Sequence, residues 1–222
     1  KALSWNPRIT NQQRKRFEEL EGSEQQREQF VITERDRKGN LIAAVDREAY
    51  YPIRYIEPLA DNRKALGFDV GSNPVRLAAL EQARDTGKPI ATERVLLVQD
   101  GQPRYSVLVF NPLYAAGMPV ATVAERRQAL QGFTVAVLNI EKLLVSALGK
   151  TAPIGLPFDL LDLSAPQDRQ LLHHWSARLQ KDDAWFSSLI PAIPASTRKF
   201  SFCGREWALV MTPNQAYLSR NY

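Results

Sequence analysis

Apolar residues recur along this chain with two periods, and the alternation between them lays out a mixed α and β protein. Ile9, Gln13, Phe17 and Leu20 fall three or four residues apart with arginines and glutamates between them, which predicts a helix from Pro7 to Leu20. Phe30-Val31-Ile32-Thr33 and Leu41-Ile42-Ala43-Ala44-Val45 flank an Arg37-Lys38-Gly39-Asn40 turn and predict a hairpin, and Ile53–Ile56 between Pro52 and Pro58 predicts a short strand. Asn73-Pro74 is a helix start, because the asparagine side chain accepts from free N–H groups and proline needs no donor at the first position. That helix is expected to end at Gly87, burying Val75, Ala79 and Ala83 and leaving Arg76, Glu81 and Arg84 in water. Arg94–Gln99, Asp100-Gly101 and Arg104–Phe110 predict a second hairpin.

Past a join at Ala115–Pro119 and a helix-like Thr122–Leu130, the pattern starts again. Phe133–Leu138 reads as a strand, Glu141–Leu148 as a helix, Phe158–Leu163 as a strand, Gln167–Leu179 as a helix, and Lys199–Thr212 as a hairpin around Cys203-Gly204. The fold class is therefore α+β: tandem PAS-like modules, antiparallel sheets with flanking helices, preceded by a helical segment. The divisions are residues 1–29 (helical), 30–131 (first module) and 132–222 (second module).

Composition narrows the chemistry. At 222 residues the chain is long enough to bury two cores without covalent staples, and its single cysteine, Cys203, excludes an internal disulfide. The net charge of +5 could suggest nucleic acid, but Arg14-Lys15-Arg16 is followed by Glu18-Glu19 and Asp36 sits among Arg35, Arg37 and Lys38, so the charge is a mixed solvated face. No apolar run reaches the roughly 18 residues a membrane helix needs. The chain opens on Lys1 and reads as a piece of a longer protein.

Catalytic signals are weak. Gly149-Lys150-Thr151 lacks the glycine a phosphate loop needs five residues earlier, where Leu144 stands, and reads as a helix end. His173 and His174 are adjacent and diverge, unlike a zinc-binding pair, and Cys203 reads as a small structural thiol. No cofactor and no metal site is expected.

Four segments carry a family resemblance: Tyr50-Tyr51-Pro52-Ile53-Arg54-Tyr55-Ile56-Glu57-Pro58, Leu66-Gly67-Phe68-Asp69, Asp85-Thr86-Gly87-Lys88 and Asn111-Pro112-Leu113-Tyr114. Together they resemble the CHASE family, the extracytoplasmic sensor domains of membrane histidine kinases and nucleotide cyclases, from about Trp5 through Phe133 and more weakly beyond. The resemblance implies a periplasmic sensor domain, not an enzyme, controlling a cytoplasmic histidine kinase or a diguanylate cyclase or phosphodiesterase. It also implies a membrane-distal first module holding a small molecule of unknown identity, a homodimer in the full-length protein, and membrane contact only through flanking helices.

In plant members of that family an aspartate matching Asp69 recognises the adenine edge of a cytokinin. Asp69 is thus the first ligand candidate; its alternatives are a cap on the Gly71-Ser72 turn or an ion pair with a nearby arginine. Phe68 and Ile90 would supply pocket walls. The family's hydroxyl position falls within Leu97–Gln99, where Gln99 is only an approximate substitute, so a cytokinin does not follow. Phe110 and Tyr114 would form an aromatic wall, or pack in the core. The rival readings are a sensor of a periplasmic partner protein, which predicts an exposed apolar patch, and an enzyme, which predicts a catalytic cluster.

Overall fold

The computed structural model describes residues 2–24, 30–99, 102–148, 156–176 and 196–212. They form two compact units, one from residues 1–92 and 108–137, the other from 93–107 and 138–222.

In the first unit the chain enters as a strand, β1 (Ala2–Pro7), followed by β2 (Ile9–Thr10) and α1 (Asn11–Glu24). The helix predicted from Pro7 therefore begins four residues later. Its buried stripe is Arg14, Phe17, Glu18 and Glu21, while Leu20 is half exposed. Charged residues can occupy that stripe because each has a partner: Arg14 donates to the Ala44 carbonyl at 2.8 Å, Glu18 accepts from the Ile32 N–H at 2.8 Å, and Glu21 meets Arg54 at 2.7 Å. Phe17 packs edge-on against Phe30 in a small core with Ile32, Ala44 and Tyr50.

The predicted hairpin forms as β3 (Thr33–Arg35) and β4 (Leu41–Ala43), in the register Thr33↔Ala43. Then come β5 (Ala49–Tyr50), β6 (Tyr55–Glu57), the single turn α2 (Leu59–Asn62) and α3 (Pro74–Thr86). The Asn73 carboxamide caps α3 by accepting from the Val75 and Arg76 N–H groups, and the helix stops at Gly87, as the sequence predicts. Next are β7 (Ile90–Ala91), the long β9 (Gln102–Tyr114), α4 (Val123–Ala129) and β10 (Leu130–Asn139); α4 carries a Thr122–Glu125 capping box.

The unit's sheet runs β6-β1-β10-β9-β7, with β1 antiparallel to both β6 and β10 and β7 antiparallel to β9. Ser4, Asn6, Phe110, Phe133 and Val135 are buried along it, and Ala79, Leu80 and Ala83 of α3 are buried as well. Tyr51 packs edge-on against Phe133 at 5.4 Å, and Phe133 against Phe110 at 6.1 Å. Gly132 is required where β10 crosses β1: a Cβ there would stand 2.4 Å from the Asn6 carbonyl oxygen and 2.7 Å from the Pro7 Cα.

In the second unit, β8 (Val95–Gln99) pairs with the start of β9, completing the predicted hairpin. After α5 (Ile140–Leu148), β11 (Phe158–Asp162), β12 (Leu171–Trp175), β13 (Ser196–Phe202) and β14 (Arg205–Met211) form a sheet in the order β12-β11-β14-β13. Its core gathers Val107, Ile140, Leu160, Leu172 and Trp207.

The helix predicted over Gln167–Leu179 is a 3-10 turn at Gln167–Arg169 followed by β12; Leu179 lies outside the described residues. Pairing with β11 decides the matter: Leu172 is buried and Trp175 stacks on Phe158 at 5.8 Å across the β11–β12 pair. Gly149-Lys150-Thr151 also lies outside the described residues.

Candidate functional site

Leu66-Gly67-Phe68-Asp69 passes alongside the start of β3. The Thr33 N–H donates to the Gly67 carbonyl at 2.9 Å, and the Asp69 N–H donates to the Thr33 carbonyl at 2.8 Å. Gly67 has a φ of 82° and a Cβ there would meet the Val31 carbonyl oxygen at 3.0 Å, so glycine is what lets the turn approach so closely.

Asp69 points inward and has no exposed surface. One carboxylate oxygen accepts from the Tyr51 N–H at 2.8 Å and from the Gly71 N–H at 3.0 Å; the other accepts from the Arg47 guanidinium at 2.7 Å. The turn cap and the arginine pair, alternatives from the sequence, are thus both present on one carboxylate. Burial raises the Asp69 pKa above its ordinary value, against the lowering effect of these donors. Arg47 also bonds to Glu34, itself buried, and lies over the Tyr50 ring at 5.7 Å. The Arg47 side chain remains 25% exposed, so solvent reaches the cation but not the Asp69 carboxylate that it neutralises.

The other candidate residues do not gather around Asp69. Ile90 and Phe110 are buried partners in the β7–β9 register, that is, core. Tyr114 donates its hydroxyl to the Arg84 carbonyl at 2.6 Å, closing the end of α3. Gln99 ends β8, in the second unit. Phe68 is half-buried with the Arg76 guanidinium 5.5 Å above its ring. Arg76 and Arg84, expected in water, are both partly buried: Arg84 pairs with Asp85 at 2.6 Å, and Arg76 rests on Phe68.

An open concavity lies elsewhere in the first unit. Leu3 and Trp5 alternate along β1 with the buried Ser4 and Asn6, so they project from the opposite face of the sheet. With Tyr55, Leu66, Pro89 and Val109 they line an open, mainly apolar groove of about 910 Å³. Leu3 is 64% and Tyr55 54% exposed. None of the six candidate residues lines it.

Arg47 and Glu34 were not singled out from the sequence. Arg47 belongs to the irregular stretch between β4 and β5, where no periodicity marks a buried position. His173 and His174 alternate across β12. Burial lowers the His173 pKa, whereas the exposed His174 meets Asp159 at 2.6 Å. Burial raises the thiol pKa of Cys203, which has a φ of 43° in its hairpin turn. No group of three or more metal-ligating side chains exists among the described residues.

The periplasmic sensory domain of the Campylobacter jejuni chemoreceptor Tlp1 shares the fold at 13% identity with a TM-score of 0.51, covering all of this chain and 74% of that one. The ligand-binding domain of the Pseudomonas aeruginosa amino acid chemoreceptor PctC, in complex with GABA, aligns at 15% identity and a TM-score of 0.36 over 66% of this chain and 62% of that one.

The chain belongs to the CHASE domain family, which matches residues 1–173, and it is a sensor domain, not an enzyme. The Dictyostelium discoideum hybrid signal transduction histidine kinase A is 22% identical over 240 aligned residues, and the chain spans 11% of that relative's length. Among the described residues no helix is long and apolar enough to cross a membrane.

Proposed function

We propose that this domain is the extracytoplasmic small-molecule sensor of a transmembrane receptor, and that its ligand enters the first unit by displacing Arg47 from Asp69. The observation that carries the reading is the contrast in that ion pair: a carboxylate with no exposed surface, neutralised by a guanidinium that solvent reaches. A buried carboxylate must keep a cation or N–H donors beside it, and a ligand presenting an amine, amidine or purine N–H edge satisfies that need as well as Arg47 does. Exchanging one donor for the other frees Arg47 and Glu34 to repack. That differential contact gives a ligand the means to shift a population. The likeness to a hybrid histidine kinase favours a histidine kinase as the output, with a diguanylate cyclase or phosphodiesterase as the alternative; either would operate from a receptor dimer, with residues 30–131 distal and 132–222 proximal to the membrane.

A thermal-shift panel of purines, amino acids, short carboxylates and periplasmic metabolites tests the reading, since a ligand of the native state raises the melting temperature by mass action. Asp69→Asn is expected to abolish the shift given by a hit. Arg47→Met is expected to lower the ligand-free melting temperature and to tighten the hit by about tenfold, because the internal competitor is gone. A hit whose shift is the same in Asp69→Asn removes the Asp69 site.

The open apolar groove on the other sheet face favours a second reading, in which the signal is a periplasmic partner protein. Leu3→Glu with Tyr55→Glu would then abolish signalling by the intact receptor while leaving every small-molecule shift unchanged.

A further inference from the structure

We propose that Arg76, Arg35 and Phe68 form a second binding site, for a small oxyanion of the carboxylate or phosphate class, behind the Asp69 cluster. Two pairs of consecutive residues establish the geometry. In β3, Glu34 turns to Arg47; Arg35, next along the strand, leaves from the opposite side. In the Gly67 turn, Asp69 turns to Arg47; Phe68, before it, leaves from the opposite side, and the Thr33↔Phe68 bridge holds the two segments together. One side thus holds two carboxylates around a single arginine. The other holds Arg76 over a phenyl ring, with the charge of Arg35 acting on it, and neither arginine has a carboxylate partner among the described residues.

Arg76 is the residue that asks for a ligand. Its Nε is out of solvent and has no hydrogen-bond partner among the described residues, and the Phe68 ring centroid lies 5.5 Å from the guanidinium carbon. Arg14, Arg47, Arg84 and Arg126 are also partly buried, and each donates to carboxylates or backbone carbonyls. Arg35 donates to the Gly39 carbonyl in its own hairpin and adds like charge. Burial, and then the charge of Arg35, lower the Arg76 pKa, the signature of a cation held where an anion would be welcome. The backbone N–H groups of Val75 and Arg76 are already taken by the Asn73 cap, so the guanidinium groups supply the recognition. An arginine fork over an aromatic floor, with the charge of a second arginine beside it, suits a planar carboxylate or a phosphate, and discriminates against neutral and cationic molecules.

The test is calorimetric titration of the 222-residue chain with acetate, succinate and inorganic phosphate, each at an ionic strength held constant with sodium chloride. At least one is expected to bind saturably, and the arm that does so separates carboxylate from phosphate. Arg76→Gln and Arg35→Gln are each expected to weaken it tenfold or more, while Asp69→Asn leaves it unchanged; loss of one site is thereby distinguished from loss of the other. Arg76→Met is expected to raise the melting temperature of the ligand-free chain, since it removes a cation whose Nε is buried without a hydrogen-bond partner and which the charge of Arg35 opposes. Failure of all three anions to saturate, equal binding by Arg76→Gln, or a lower melting temperature in Arg76→Met would each overturn the proposal.

Discussion

At the scale of single residues, Asp69 shows how a binding candidate and a structural keystone can be one carboxylate. Removing it leaves Arg47, the Tyr51 N–H and the Gly71 N–H without their acceptor, so Asp69→Ala is expected to cost about 3–5 kcal/mol in urea unfolding. Asp69→Asn should cost less, because its amide oxygen still accepts from the two backbone groups; this is why the asparagine variant suits the binding test. Asp85 behaves in the opposite sense towards protons. Arg127 and Arg84 bond to it and hold its pKa far below the ordinary 3.8, so the folded state binds that proton less readily than the unfolded chain. Its contribution is present above about pH 4 and is lost as the pH falls towards the folded value. Between about pH 4 and pH 2, wild-type stability should drop faster than that of Asp85→Asn in parallel thermal melts. Asp69 opposes this trend: its raised pKa favours the native state as the acid range is entered, and that gain is lost as the pH rises through the folded value.

At the scale of elements, legibility follows how locally each signal is encoded. The start of α3 at Asn73-Pro74, its end at Gly87 and the β13–β14 hairpin around Cys203-Gly204 are set by residues a few positions apart, and all three were readable. Asn73→Ala is expected to cost about 1 kcal/mol in urea unfolding, the usual worth of a lost cap. The strand β1 was not readable, because Ala2–Pro7 has only six residues with proline at the end and owes its conformation to β6 and β10, which lie far along the chain. β12 was misread for the same reason, its partner β11 being the deciding contact. The candidate site divides likewise: the Asp69 cap on the Gly71-Ser72 turn and its ion pair with an arginine were legible as alternatives, whereas which arginine it is, Arg47, the part of Glu34 and the stacking of Arg76 on Phe68 depend on pairings between distant segments. Gly132→Ala tests such a pairing. With a Cβ driven against the backbone of Asn6 and Pro7, β1 and β10 must part at Pro7↔Gly132, and a loss of more than about 3 kcal/mol is expected by urea unfolding.

At the scale of the whole molecule, each unit has a core of its own, around Phe17 and Tyr50 in the first and Trp207 in the second, and both binding proposals fall in the first. A small molecule that trades places with Arg47 changes the contacts of Glu34 and of residues 44–51 and 67–71 before it changes anything else. Its free energy of binding can reach an output only as the difference in its affinity for two packings of that unit, and a coupling of about 1–3 kcal/mol is sufficient for a useful response. Amide hydrogen exchange makes the distinction directly. A ligand at Asp69 is expected to raise protection chiefly within 44–51 and 67–71, a ligand at Arg76 chiefly within 73–78, and neither is expected to act first within residues 138–212. Protection that instead appears first on β11 to β14 would move the receptive surface into the second unit and leave the charged clusters of the first as elements of its stability.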